Sequence, residues 1–201
     1  MKIICIGRNY LEHAKEMNAP LPSTPFFFMN PETVLLRTRD FFYPKFTSNL
    51  HYECEIVLKI DKVGKNIDEK FANTYYSSCT LGVDFTARDV QQNCKEKGLP
   101  WEIAKSFDQS APLSKTWIPL KDSTQEIKFE LQKNGETVQN GSNLNMIFSF
   151  DQIIAYISKF ITLKKGDLIF TGTPAGVGEV QIGDNLKCLL MGKEVLNFNI
   201  K

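Results

Sequence analysis

The stretch HYECEIVLKI, residues 51–60, constrains the chain more than any other. Counting by twos, Tyr52, Cys54, Ile56, Leu58 and Ile60 fall on one face, an apolar stripe of strand periodicity that demands a core. The other face opens with His51, Glu53 and Glu55. Two carboxylates one pleat repeat apart repel each other, and burying either one unpaired is costly. Either that face is wet, or something positive sits between the two glutamates.

The rest of the chain narrows the setting. With 201 residues, a single domain with a sizeable core is the simplest organisation. A hydrophobic fraction of 42% and a charged fraction of 23% match a soluble globular protein and give no case for disorder. Lys and Arg (24) nearly balance Asp and Glu (23), and no basic stripe stands out, so neither nucleic acid nor a membrane surface is expected as a partner. The opening MKIICIGRNY turns polar too soon for a signal peptide, and no apolar run approaches the ~20 residues of a membrane helix. Five scattered cysteines without a CxxC pair, and only two histidines, argue against a zinc finger or a disulfide framework. A reducing cytoplasm is the expected compartment.

Strand and turn signals outnumber helical ones. Strands are expected at 2–7, 52–60, 75–85, 166–173 and within 184–200, with a hairpin over 127–141 turning at Asn134-Gly135. Helices are expected at 9–17, with Asn9 as cap, at 86–98, closed by Gly98, and at 149–160. The four prolines of residues 18–31 suggest a loop around a short extended FFFM piece. The pattern points to a β-rich α+β fold rather than a parallel doubly wound sheet.

The chemistry gathers around acidic residues. Asp84 ends the apolar run TLGVD where a buried strand hands over to a helix, a usual place to present functional groups. Together with Glu53 and Glu55 it would form a hard oxygen site suited to Mg²⁺ or Mn²⁺ with positions left for water and substrate. Lys105 lies in an unusually apolar stretch, GLPWEIAKSFD, and reads either as a surface lysine or as a cation placed against a bound anion. His13 and Glu16, three apart on the first helix, are either an exposed ion pair or a general base with its orienting carboxylate. TGTPAGVG, residues 171–178, is either a plain turn after a strand or one that brings Thr173 and backbone amides to a small anion.

In their order along the chain, GRNYLEHAKEM, HYECE, LGVDFTARDVQ, KGLPWEIAKSFD and FTGTPAGVG resemble the fumarylacetoacetate hydrolase family. The likeness is nearest to its short acylpyruvate hydrolase and oxaloacetate decarboxylase branch. The resemblance implies a mixed β-sandwich roll of the C-terminal-domain type, a single catalytic domain over 1–201 with a lid helix and loop over 10–31, and a homodimer. It assigns Glu53, Glu55 and Asp84 to the metal, Lys105 to the active site, and His13 with Glu16 to the water-activating dyad. Arg88, Gln91 and Thr173 match substrate-contacting positions, and His51 is a neighbour of the ligands rather than a ligand. Cys54 stands where the family more often has an aliphatic residue. The implied function is Mg²⁺- or Mn²⁺-dependent cleavage of acylpyruvates to pyruvate and a carboxylic acid, with oxaloacetate decarboxylation as a companion activity. The alternative is a 2-hydroxy-dienoate isomerase, tautomerase or hydratase of aromatic catabolism, which has less need of a water-activating dyad.

Overall fold

A computed structural model of the protein describes residues 1–17, 20–36, 39–122 and 124–201. Its central layer is a six-stranded sheet. The first strand, β1 (Ile3–Gly7), pairs antiparallel with β2 (Phe26–Asn30), after the short helix α1 (Leu11–Glu16). The chain then forms β3 (Leu50–Tyr52) and β4 (Cys54–Ile60), a one-turn helix α2 (Glu69–Ala72) and β5 (Tyr76–Val83). After β6 (Thr86–Ala87) come helices α3 (Arg88–Lys97) and α4 (Glu102–Lys105), then β7 (Ile118–Pro119). The hairpin β8 (Lys128–Lys133) and β9 (Glu136–Ser142) precedes α5 (Phe150–Ser158). β10 (Leu168–Phe170), β11 (Gly178–Glu179) and the hairpin β12 (Asn185–Leu190) and β13 (Lys193–Asn199) complete the chain.

The strands make three sheets, ordered β2-β1-β10-β4-β5-β7, β11-β3-β6 and β13-β12-β8-β9. Among the described residues only β1 and β10 pair in parallel as strands, so the β-rich α+β expectation holds and the doubly wound alternative does not. Strand alternation covers both faces of the central sheet. Ile4, Ile6, Ile56, Leu58 and Ile60 join the main core with the four-stranded sheet and α5, whereas Ile3, Cys5, Val57, Leu168 and Phe170 build a second core on the opposite face. Each such side chain removed from water contributes about 1.5–3 kcal/mol. The Asn134-Gly135 turn forms as the sequence suggests, with φ of 55° and 87°. Ser149 and Gln152 cap α5 reciprocally.

Several local expectations need correcting. The single strand 52–60 is two strands: at Glu53 the chain leaves the three-stranded sheet and enters the six-stranded one. Asn9 does not cap α1. Its side chain is buried and donates to the carbonyls of Phe148 and Thr171 while accepting from the Phe148 amide, which ties the ends of β1 and β10 together. A lid over 10–31 is too long, because β2 is hydrogen-bonded into the sheet edge along all of β1. Asn18 and Ala19, within that span, lie outside the described residues. Among the described residues no helix is long and apolar enough to cross a membrane.

Candidate active site and metal centre

The acidic residues sit at a joint between sheets. β3 passes into β4 at Glu53, and β5 passes into β6 at Asp84, each chain crossing from one sheet to another at its carboxylate. The two corners are bonded to each other, the Asp84 amide donating to the Glu53 carbonyl at 2.8 Å. A third crossing, residues 171–173 after β10, runs alongside: Thr171 donates to the Ile56 carbonyl, and Thr173 Oγ1 donates to the Cys54 carbonyl at 2.8 Å. Between them the Gly172 amide donates to Glu55 Oε2 at 2.8 Å. Gly172 has φ +101°, and a Cβ there would come 2.7 Å from the Asn9 Cβ, so only glycine lets this crossing lie so close. Sheet corners leave backbone unpaired to the ladder and turn side chains together, which explains why three carboxylates converge here.

Glu53, Glu55 and Asp84 are all buried, and each offers an oxygen within 4.8 Å of the others'. The wet-face reading of the strand is therefore excluded. Lys105 is 3% exposed, closes the one-turn helix α4, and donates from Nζ to Glu53 Oε2 and Asp84 Oδ2, both at 2.8 Å. The surface-lysine reading fails with it. Arg88, the first residue of α3, donates to Glu53 Oε1 at 2.6 Å and to Gln91 Oε1 at 2.9 Å.

Two cations do not balance three buried carboxylates evenly. Burial pushes the Glu53 carboxyl up, but the charges of Lys105 and Arg88 reverse that and hold it well below the usual carboxylate range. Burial and the Asp84 charge push Glu55 well above it. Burial outweighs Lys105 at Asp84, which is pushed up to about 6. Asp84 Oδ1 is also buried without a hydrogen-bond partner. An orphaned carboxylate oxygen beside two carboxyls that resist ionising is the signature of a site completed by a further positive charge. An all-oxygen donor set of this kind fits a hard divalent cation, and Glu53, Glu55 and Asp84 would hold it.

His13, 7% exposed, faces the same pocket, its Nδ1 3.2 Å from Glu16 Oε2. Glu16 Oε1 in turn accepts from the Gly176 amide at 3.1 Å, linking the dyad to the TGTPAGVG segment. Thr173 and Gln91 also line the pocket, so of the nine residues expected from sequence only Glu16 stands behind the wall, where it holds His13. His51 is half-buried on β3; burial and Arg88 lower its pKa, and it does not line the pocket. Cys54 packs in the core as expected, its Sγ 3.9 Å from that of Cys188.

Sequence reasoning missed two supports. Gln139 of β9 accepts from the Cys54 amide and donates to Thr173 Oγ1 and the Pro174 carbonyl, bracing the backbone between the two glutamates. Nothing local marks a hairpin glutamine as the partner of a strand 85 residues away. Phe28 lies with its ring centroid 5.5 Å from Lys105 Nζ, and only the FFFM run hinted at it.

The fumarylacetoacetate (FAA) hydrolase C-terminal family matches residues 2–200. The chain belongs to this family. Among relatives, mitochondrial oxaloacetate tautomerase FAHD1 of Mus musculus is 41% identical over 202 residues, covering 99% of this chain and 91% of the relative. Mitochondrial oxaloacetate decarboxylase of Dictyostelium discoideum is 40% identical, covering 99% and 93%. Among solved structures, fumarylpyruvate hydrolase from Pseudomonas aeruginosa in complex with Mn²⁺ and pyruvate superposes with a TM-score of 0.93 at 36% identity, covering 100% of this chain and 89% of that one. The family supplies a precedent for a divalent metal, and the acidic centre of this member is built to hold one.

Proposed function

We propose that the protein is a Mg²⁺- or Mn²⁺-dependent enzyme of the cytoplasm, working as a homodimer, that cleaves the C3–C4 bond of acylpyruvates and also acts on oxaloacetate. One observation carries the reading: three buried carboxylates, a buried lysine and a carboxylate-oriented imidazole open onto one pocket. Five buried free cysteines suit a reducing compartment.

When bound, the divalent cation supplies positive charge opposite the carboxylate and 2-oxo oxygens of the substrate. The chain does the rest. With Nδ1 protonated, His13 donates a hydrogen bond from Nδ1–H to Glu16, which leaves the Nε2 lone pair free to take a proton from water. The water oxygen bonds to C4 of the acylpyruvate, the C3–C4 bond breaks, and the electron pair passes to the pyruvate half as its enolate. Lys105 fixes positive charge beside that developing anion. Asp84 and Glu53 outweigh the effect of burial on Lys105 and hold its pKa above the ordinary lysine value, so it stays charged. C3 then takes up a proton, giving pyruvate, and the carboxylic acid departs. Arg88 positions Glu53 and Gln91, and Thr173 lines the same pocket. Oxaloacetate needs no water attack, since the C3–C4 bond breaks to release C4 as CO₂, the electron pair passes to the pyruvate enolate, and C3 is then protonated.

A second reading uses the same atoms. His13 Nε2 removes a proton from C3 of oxaloacetate and returns it to the 2-oxo oxygen, which is tautomerisation. The identity of 41% to an enzyme named oxaloacetate tautomerase favours it. The dienoate alternative has less behind it, because it has less need of the His13–Glu16 pair and its isomerase neighbour is only 28% identical. The test is to strip the protein with EDTA and offer acetylpyruvate or oxaloacetate, each with and without Mg²⁺, following pyruvate and the enol absorbance. Metal-dependent pyruvate from acetylpyruvate supports the hydrolase; loss of enol signal without pyruvate moves the assignment to tautomerase; no change in either signal with either substrate refutes both.

A further inference from the structure

Four cationic side chains line the pocket, Arg8, Arg88, Lys95 and Lys105, and the site described above occupies only two of them. Lys105 is bonded to Glu53 and Asp84, and Arg88 to Glu53 and Gln91. Neither Arg8 nor Lys95 has a carboxylate partner among the described residues. Their placement is not incidental. Arg88, Gln91 and Lys95 stand at i, i+3 and i+7 on α3, so one helical face lines the pocket, and Lys95 lies about 10 Å along the axis from Arg88. Lys95 is exposed, with Nζ 5.4 Å from the Trp101 ring centroid. Arg8 follows β1 with φ +59°, a conformation uncommon for any residue but glycine. Desolvation of the amine by its neighbours, then repulsion from Arg88 and Arg8, lowers the Lys95 pKa, against a smaller opposing pull from Glu53. Arg8 and Lys95 thus add positive charge to the pocket beside the already paired Arg88, with no carboxylate bonded to either of them among the described residues, an arrangement that an anion would relieve.

We propose that Arg8 and Lys95 form a subsite for a second, distal carboxylate, so that the enzyme selects 2-oxo acids that are dicarboxylates over those ending in an alkyl group. The inference rests on the reading of the acidic centre as the seat of the 2-oxo acid head, and it adds the residues that choose the tail. An enzyme so built sits downstream of reactions that yield oxo-diacids and upstream of reactions that consume pyruvate.

The test separates this claim from turnover by measuring binding. With Mn²⁺ present, 2-oxoglutarate and 2-oxopentanoate are titrated calorimetrically; both have five carbons, and they differ at the far end by a carboxylate against a methyl. Wild type should bind the diacid tighter by about tenfold or more, the scale expected of charge-assisted bonds that are partly desolvated. Arg8→Gln and Lys95→Gln should each shrink that ratio several-fold, the double variant should bring it near unity, and Lys95→Arg should retain it. Lys95 is exposed, so its variants do not test folding. A ratio near unity in wild type, or variants that weaken both acids equally, overturns the subsite. Intact diacid preference without any turnover would instead fault the proposed reaction and leave the subsite standing.

Discussion

The three-carboxylate centre and His13, backed by Glu16, face one pocket but are built in opposite ways. The centre lies where three chain segments cross between sheets, each locked by long-range hydrogen bonds, with Glu53, Glu55, Asp84 and Lys105 all under 7% exposed. The dyad rides on a six-residue helix with no side-chain cap, and the Glu16 side chain is 33% exposed. A helix so short has little stability of its own. The contrast separates two jobs. Holding and polarising the 2-oxo acid needs a fixed scaffold; delivering or removing a proton needs a group that can reach in and withdraw.

That division predicts a graded set of losses. Glu55→Gln should reduce every metal-dependent activity, on acetylpyruvate and oxaloacetate alike, by at least about a hundredfold. It should also leave the stripped protein as stable as wild type or more so by thermal melting, because a carboxyl that resists ionising in the fold is replaced by a neutral amide. A stripped variant that melts much lower would mean that Glu55 is a structural rather than a metal-holding group. His13→Ala comes next: acetylpyruvate hydrolysis should fall by about 10²–10⁴-fold while oxaloacetate decarboxylation falls far less. Equal losses on both substrates would dissolve the distinction between centre and dyad. Glu16→Gln, which keeps the shape and removes the charge, should cost hydrolysis about tenfold to a hundredfold, visible as a shifted pH profile rather than a changed metal affinity.

The smallest effect is in pH. Burial raises Asp84 to about 6 and, with the Asp84 charge, also raises Glu55, so between pH ~4 and 6 these two groups hold more protons in the stripped fold than in the unfolded chain. Their contribution to stability therefore falls as pH rises through that window. Glu53, held low, is ionised in both states above pH ~5 and adds no slope there. Metal competes with those protons, so the rise in melting temperature on adding Mg²⁺ should be small at pH 5 and larger at pH 7. A shift independent of pH would place the metal away from Asp84 and Glu55.

How much of this was legible in the sequence follows the same division. Glu53, Glu55 and Asp84 were readable because strand period and strand end are local signals, and the question of what lies between two glutamates has a local chemical answer. The break at Glu53 was not, since a chain that changes sheets keeps its alternating pattern through the corner. Lys105 could not be told from a surface lysine, because its burial depends on strands 21 and 52 residues earlier in the chain. Asn9 looked like a cap since it precedes a helix, yet its partners are Thr171, brought near by the parallel pairing of β1 with β10, and Phe148, brought near by the bridge of Tyr10 with Met146. Gln139 and Gly172 were missed for the same reason: their role is a contact across sheets, and sequence spacing does not record it. The hairpin at Asn134-Gly135 and the α5 helix, whose signals are complete within a dozen residues, formed as expected.

The most direct test of the central claim is a titration of EDTA-stripped protein with Mn²⁺ followed by electron paramagnetic resonance, in wild type and in Asp84→Asn. The account predicts one tightly bound ion per chain in wild type, its loss or marked weakening in the variant, and recovery of pyruvate release from acetylpyruvate in step with occupancy. Wild type that binds no ion, or a variant that binds it equally well, would contradict the assignment of the buried carboxylates as the metal centre.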